Sequence, residues 1–195
     1  KAYRPMIEIR MHGRGGQGAV LAAAMLAKAL VAAGRHAVAV PSFGFERRGA
    51  PVAAFLRLDD KPIRRMTNIY APHCVLCIDP TVGRAVNVFE GLRSGGTLVQ
   101  TTARSLGEMQ LPDTVARVGL CDAVSLAMGI FRRPITNTLM LGAFARTTGL
   151  VSVEALEEAV RGAEFRDAGL AQNLEAVRRG FEATVVHDLA PVEAA

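Results

Sequence analysis

The sequence predicts an α/β domain of three layers, with a mostly parallel sheet and a helical C-terminal third. Three observations carry that expectation. Strand-like and helical segments alternate over the first two thirds of the chain, helical patterns dominate afterwards, and a glycine-rich turn joins the first strand to the first helix. All 195 residues fit one domain, 1–195, because no internal repeat or long linker divides them. Half of the residues are hydrophobic and tryptophan is absent, so the core has to be built from Ala, Val, Leu, Ile and Met.

Met6, Ile7, Ile9 and Met11 are interleaved with polar residues over 6–12, a segment too short for a stable helix, which reads as the first strand. Residues 18–33 are apolar and alanine-rich, and Gly34 stands where a C-cap glycine belongs, which predicts a helix lying close on the sheet. A second strand is expected at 36–40. The Gly, Pro and Ser punctuation of 41–51 marks a shaped loop, and a third strand follows at 52–58, ending in the turn Asp59-Asp60-Lys61-Pro62. Residues 74–78 are nearly continuously apolar, as in a strand buried on both faces. A helix is expected over 82–92, closed by Ser94-Gly95-Gly96, with further strands at 97–101 and 116–120. Helices then start near Ser125, Asn137, Ser152 and Leu170. Ser152 serves as an N-cap before Val153, Leu156, Ala159 and Val160, and Gly149 closes the helix before it.

Chemistry enters at Gly13-Arg14-Gly15-Gly16-Gln17-Gly18, which follows the first strand and opens the first helix. Gly13, Gly15 and Gly18 occupy the G-x-G-x-x-G positions of a dinucleotide-binding turn. Free N–H groups at such a helix N-terminus favour an anion. The companion feature of an NAD site is an acidic residue about 20 positions onward. Here that stretch reads Val38-Ala39-Val40-Pro41-Ser42 and contains no acid, which weakens the NAD reading. An independent NAD-binding oxidoreductase stays open as the alternative function, and so does a purely structural turn.

Cys74 and Cys77 have C-x-x-C spacing, but residues three apart on a strand point to opposite faces. The two thiols are therefore expected to fill the core rather than hold one ion, and three cysteines fall short of the four thiolates of a cubane cluster. None of the four histidines belongs to a metal-ligand pattern, and no nucleophile elbow or Walker lysine occurs. Metal sites and catalytic residues within this chain are expected to be none. A formal net charge of +5 is spread without a run of five basic residues, which argues against nucleic acid. No apolar run approaches the roughly 18 residues of a membrane span. An odd number of cysteines in apolar surroundings and the lack of a signal-peptide pattern at the start give a reduced, cytoplasmic protein as the expectation.

His12-Gly13-Arg14-Gly15-Gly16-Gln17-Gly18 and Pro41-Ser42-Phe43-Gly44-Phe45-Glu46-Arg47-Arg48-Gly49-Ala50-Pro51-Val52 together resemble the two signature segments of the gamma component of 2-oxoacid:ferredoxin oxidoreductases, the pyruvate:ferredoxin oxidoreductase superfamily. Cys77-Ile78-Asp79-Pro80, Asn137-Thr138-Leu139-Met140-Leu141-Gly142-Ala143, Gly149-Leu150-Val151 and Asn173-Leu174-Glu175-Ala176 extend the resemblance over nearly the whole chain. It implies a Rossmann-like domain without a redox centre of its own, inactive alone, that joins alpha, beta and ferredoxin-like delta subunits. Such a complex contains thiamine diphosphate, Mg2+ and [4Fe-4S] clusters. It converts a 2-oxoacid and coenzyme A to acyl-CoA and CO2, and passes electrons to ferredoxin or another acceptor. This chain's expected share is assembly and part of a coenzyme A site, with Gly13, Arg14, Gly15, Gly16, Gln17, Gly18, Ser42, Phe43, Glu46, Arg47 and Arg48 as the cofactor-binding or interface residues. For Glu46-Arg47-Arg48 a subunit contact, a phosphate clamp and a solvated loop remain open, since an arginine fork suits carboxylate and phosphate alike.

Overall fold

The computed structural model describes residues 5–42, 47–165 and 168–189. In chain order the elements are β1 (Ile7–Arg14), α1 (Ala19–Ala32), β2 (His36–Pro41), β3 (Pro51–Asp59), β4 (Cys74–Cys77), β5 (Gly96–Thr101), β6 (Val115–Cys121), α2 (Ala123–Phe131), α3 (Asn137–Thr148), α4 (Val153–Arg161), α5 (Leu170–Ala183) and β7 (Val185–Asp188). The seven strands form one sheet in the order β2-β3-β1-β4-β5-β6-β7. β1, β4, β5 and β6 are parallel neighbours, while β3 runs antiparallel to both β1 and β2, and β7 antiparallel to β6. Five of the seven strands therefore share one direction, which makes the sheet mostly parallel with reversed strands at two places.

The two faces of the sheet are covered differently. Ile9, Met11, Leu56, Cys74 and Leu76 face one side, where they pack against Met25, Leu26, Leu139, Phe144, Leu156 and Val177 of the helices. Val75, Cys77, Leu98 and Val118 face the other side, where Val82, Val88 and Leu92 cover them. The helix expected over 82–92 does not form. Only a 3-10 turn at Val82–Arg84 appears, followed by irregular turns. Local side-chain bonds explain the difference: Asp79 Oδ1 accepts from the Thr81 N–H at 2.8 Å and Asn87 Oδ1 from the Phe89 N–H at 3.1 Å, turns that compete with helical bonding. The third layer is thus irregular chain, which lets the few large side chains at 82, 88 and 92 fill the space a helix would otherwise occupy.

Helix α3 is the spine of the helical layer, with all but Arg146 and Thr148 of its residues buried. Its contact with α5 is the most extensive between any two elements. Two glycines allow it. A Cβ on Gly142 would lie 2.0 Å from the Val177 carbonyl oxygen, and one on Gly180 would lie 1.9 Å from that of Leu139. Alanine is the better helix former by about 1 kcal/mol, so propensity and packing oppose each other at these positions. Gly180→Ala is expected to lower stability by about 2 kcal/mol despite its gain in propensity, because both backbones have to move apart. Urea unfolding measures the change, and an unaltered or higher midpoint would contradict the close approach.

Candidate functional site

At the C-terminal end of β1 the chain turns through Gly15–Gly18 into α1. Gly16 and Gly18 adopt left-handed conformations at φ 87° and 77°, which a side chain would strain. Gly15 does not. Its requirement is proximity: its N–H donates to the Ala50 carbonyl at 2.8 Å, its own carbonyl accepts from Gly49 at 3.0 Å, and a Cβ would sit 2.3 Å from the Arg47 carbonyl oxygen. The two motif segments, separate in sequence, are therefore joined backbone to backbone, with Gly15 and Arg48 forming a parallel bridge. Gly13 lies within β1, where a Cβ would come 2.8 Å from Ile78.

Asp79, just beyond the end of β4, holds this turn from below. Its Oδ2 accepts from Gln17 Nε2 at 2.6 Å, its Oδ1 from the Thr81 hydroxyl at 2.6 Å, and Arg14 Nε stands 3.4 Å away. Gln17 Oε1 in turn accepts from the Arg14 N–H at 2.7 Å, and the Arg14 guanidinium donates to Thr81 and to the Gly49 carbonyl. Burial works to raise the Asp79 pKa, but the bonds from Thr81 and Gln17 and the charge of Arg14 outweigh it and hold the carboxyl below its ordinary value.

Above this network lies an open cleft of about 920 Å³, bordered by Arg14, Gln17, Arg48, Arg133, Asn137 and Glu164. Its border carries three arginines and one glutamate. The N-termini of α1 and α3 meet here, at Gly18 and Asn137, and neither helix carries an acidic residue in its first turn. The Asn137 side chain fills the space beside Gly18, and the Thr136 hydroxyl donates to the Ile78 carbonyl at 2.6 Å, which fixes the start of α3 to the end of β4. Such a cleft, at the carboxyl ends of parallel strands with two helix N-termini and three arginines on its border, suits an anion such as a phosphate group.

Of the sequence-derived residues, Arg14, Gly15, Gly16, Gln17, Gly18 and Arg48 border this cleft. Ser42 instead borders a second cavity, which His12 also lines. Arg47 is exposed and contributes its carbonyl rather than its side chain to the Gly15 contact. Phe43 and Glu46 lie outside the described residues. Asp79 and Asn137 were legible only as parts of family motifs, and Arg133 gave no local signal of a shared site. The acid that an NAD site needs has no place here for a topological reason. β2, whose end would carry that acid, is separated from β1 by antiparallel β3, which ends at the opposite edge of the sheet.

Cys74 and Cys77 face opposite sides of the sheet, as their spacing requires. Burial raises the thiol pKa of both, that of Cys77 to about 12, and also that of Cys121. These are packing residues. Among the described residues no group of three His, Cys, Asp or Glu side chains is placed to hold a metal ion, and no helix is long and apolar enough to cross a membrane.

Comparison with known proteins gives a consistent picture. A family model described as pyruvate ferredoxin/flavodoxin oxidoreductase matches residues 8–183. The chain is 59% identical over 184 residues to the NADH-dependent phenylglyoxylate dehydrogenase subunit gamma of Aromatoleum evansii, covering 94% of this chain and 97% of that one. It is 47% identical over 186 residues to the pyruvate/ketoisovalerate oxidoreductases common subunit gamma of Thermococcus litoralis, covering 94% of this chain and all of that one. The crystal structure of pyruvate oxidoreductase subunit PORC from Thermotoga maritima superposes with a TM-score of 0.80 at 34% identity, covering 95% of this chain and all of that one.

The Asp79 network makes a prediction about pH. Asp79→Asn removes the charge that accepts three hydrogen bonds and is expected to cost about 1.5–3 kcal/mol at neutral pH. The folded-state pKa lies below the unfolded value of 3.8, so the carboxylate's contribution is fully present above that pH and is lost as pH falls through the folded value. Unfolding curves of the two proteins should differ at pH 7 and converge in acid below pH 3.8. A gap that stays constant with pH would show that charge is not what stabilises the turn.

Proposed function

The chain belongs to the pyruvate ferredoxin/flavodoxin oxidoreductase family, and from that premise we propose that its complex acts on an aryl 2-oxoacid and that its own cleft holds the phosphate-bearing end of coenzyme A. As a gamma subunit it is a component of a multisubunit 2-oxoacid oxidoreductase, as its relatives are. The reaction joins a 2-oxoacid and coenzyme A into acyl-CoA, releases CO2 and delivers two electrons to an acceptor. The aryl assignment is supported by the greater identity to the phenylglyoxylate dehydrogenase subunit, 59% against 47% for the pyruvate/ketoisovalerate subunit. The same relative's printed name makes NAD the expected final acceptor, reached through another subunit.

The single observation that carries the coenzyme A reading is the convergence of Arg14, Arg48 and Arg133 with the N-termini of α1 and α3 on one cleft. Coenzyme A carries a diphosphate and a further phosphate, and amide dipoles and guanidinium groups recognise both. Groups that bind an anion line the cleft, and no Cys or His lies among its lining residues. The chain's role is accordingly to bind and position rather than to carry out bond chemistry. Thiamine diphosphate, magnesium and the iron–sulfur clusters belong to the other subunits in this reading, because the cysteines here are buried on opposite faces with raised thiol pKa values.

Arg48→Ala in the complete complex tests the cleft. Loss of one charge-assisted hydrogen bond costs about 1.5–3 kcal/mol, a rise in coenzyme A KM of roughly 10- to 150-fold with the 2-oxoacid KM and subunit composition unchanged. Dissociation of the complex would instead make Arg48 an interface residue, and unchanged kinetics would make it a solvated side chain. For the substrate, the complex is expected to show a kcat/KM for phenylglyoxylate at least tenfold above that for pyruvate. Equal values would remove the aryl assignment.

A further inference from the structure

On the face of the sheet away from the helices, residues 60–73 link β3 to β4 as an irregular arm whose backbone is held by arginines. Arg57, itself buried against Glu8 at 2.9 Å, donates to the carbonyls of Thr67 at 2.6 Å, Asn68 at 3.2 Å and Arg65 at 3.3 Å. Arg10 donates to the Ile69 carbonyl at 3.4 Å and Arg93 to that of Ala71 at 2.8 Å. Gly91 lies so close to the Tyr70 carbonyl oxygen that a Cβ would come within 1.9 Å of it. These bonds fix the backbone of the arm, and Ile69 turns inward against Val40 and Phe55. Met66 and Tyr70 remain 60% and 77% exposed, the two most exposed large hydrophobic side chains among the described residues. Exposed beside them are Arg64 and Arg65, which have no ion-pair partner among the described residues.

Under the arm lies a cavity of about 360 Å³ bordered by Tyr70, Ile69, Phe55, Val52 and Ser42, with His12 at its inner end. His12 is 7% exposed, and its Nε2 accepts from Arg10 Nε at 3.0 Å, which leaves the ring proton on Nδ1. Burial and the Arg10 charge keep the ring neutral, with a pKa of about 4. A fixed, exposed aromatic ring beside an apolar cavity marks a surface for association.

We propose that this arm and cavity form the docking surface for a neighbouring subunit of the oxidoreductase complex, one with an acidic face that inserts an apolar side chain between Phe55 and Tyr70. The inference rests on the complex membership argued above. Three features select a protein over a small solute. The arm is pre-ordered at its backbone, its apolar side chains point outward rather than into the cavity alone, and Arg64 with Arg65 supplies a charged rim, the pattern of an apolar centre with a polar edge.

The test uses the complete complex, with affinity of this chain for the remaining subunits as the readout. Tyr70→Asp and the double variant Arg64→Glu/Arg65→Glu are each expected to bind at least about 30-fold more weakly, the loss typical of an interface hot spot. Tyr70→Phe should assemble as the wild type does, which separates surface chemistry from misfolding. Raising salt should weaken the wild type toward the charge-reversed variant. Normal assembly of Tyr70→Asp overturns the proposal, and does so equally if that variant loses affinity for a small molecule instead. A loss of the same size with Met128→Asp, on the opposite face in α2, overturns the assignment to this surface. Failure of the wild-type chain to associate at all would remove the complex reading itself, and with it this one.

Discussion

Between Gly15 and the Arg47 carbonyl there is no room for a side chain, and the geometry around the cleft depends on that contact. The two backbone bonds that Gly15 makes to Gly49 and Ala50 bring the chain back over the end of β1 after β2. A chain returning from that point can only run down beside β1 in the opposite direction, so β3 is antiparallel and β2 is displaced to the edge. The same contact sets Arg48 beside Arg14 above the start of α1, with Asp79 and Gln17 fixing the level of the turn from the other side. A single close approach thus selects both the strand order and the cation arrangement.

Much of the architecture was legible in periodicity and punctuation. The alternation in residues 6–12, the apolar run at 74–78 and the glycines at 34 and 149 mark element type because burial and left-handed turns leave direct traces in sequence. The opposite orientations of Cys74 and Cys77 followed from strand geometry alone. What failed did so for identifiable reasons. Side-chain bonds from Asp79 and Asn87 outcompeted a helix over 82–92, and β7 is a four-residue edge strand with an exposed Val185, too short for a pattern. Reversal of β3 depends on a loop contact between distant segments, which single-sequence reading cannot see. Glu8, Arg10 and His12 are the polar residues interleaved with the alternation at 6–12, yet all three are buried, because the 60–73 arm and its arginine-bound carbonyls cover them.

The candidate site shows the same division. Its glycines were legible because strained or crowded backbone demands them, and Arg48 because it stands in a dense motif. Asp79, and Arg133 with Asn137, come from two further parts of the chain and meet only once β4 and α3 are in place. A residue whose role is to orient another, as Asp79 orients Gln17, carries no signature beyond being an acid after a buried strand. The glycine pattern is shared by many folds, whereas the meeting of arginines and helix N-termini at one cleft exists only in the folded chain, and the proposed coenzyme A site rests on that meeting.

Ser42 and the strand beginning at Pro51 border the cavity on one face of the sheet, while Arg48 and Gly49 border the cleft at the glycine turn. Residues 48–52 are a wall of both. Whatever contacts the outer wall and whatever occupies the cleft act on the same few backbone bonds around Gly15, and linkage makes any such influence mutual: the free energy with which one occupant restricts that stretch is returned, with the same sign and size, in the affinity for the other. With the cleft and the cavity occupied as proposed, such a subunit would couple the completeness of the assembly to the tightness of its anionic cosubstrate, as two readings of one equilibrium.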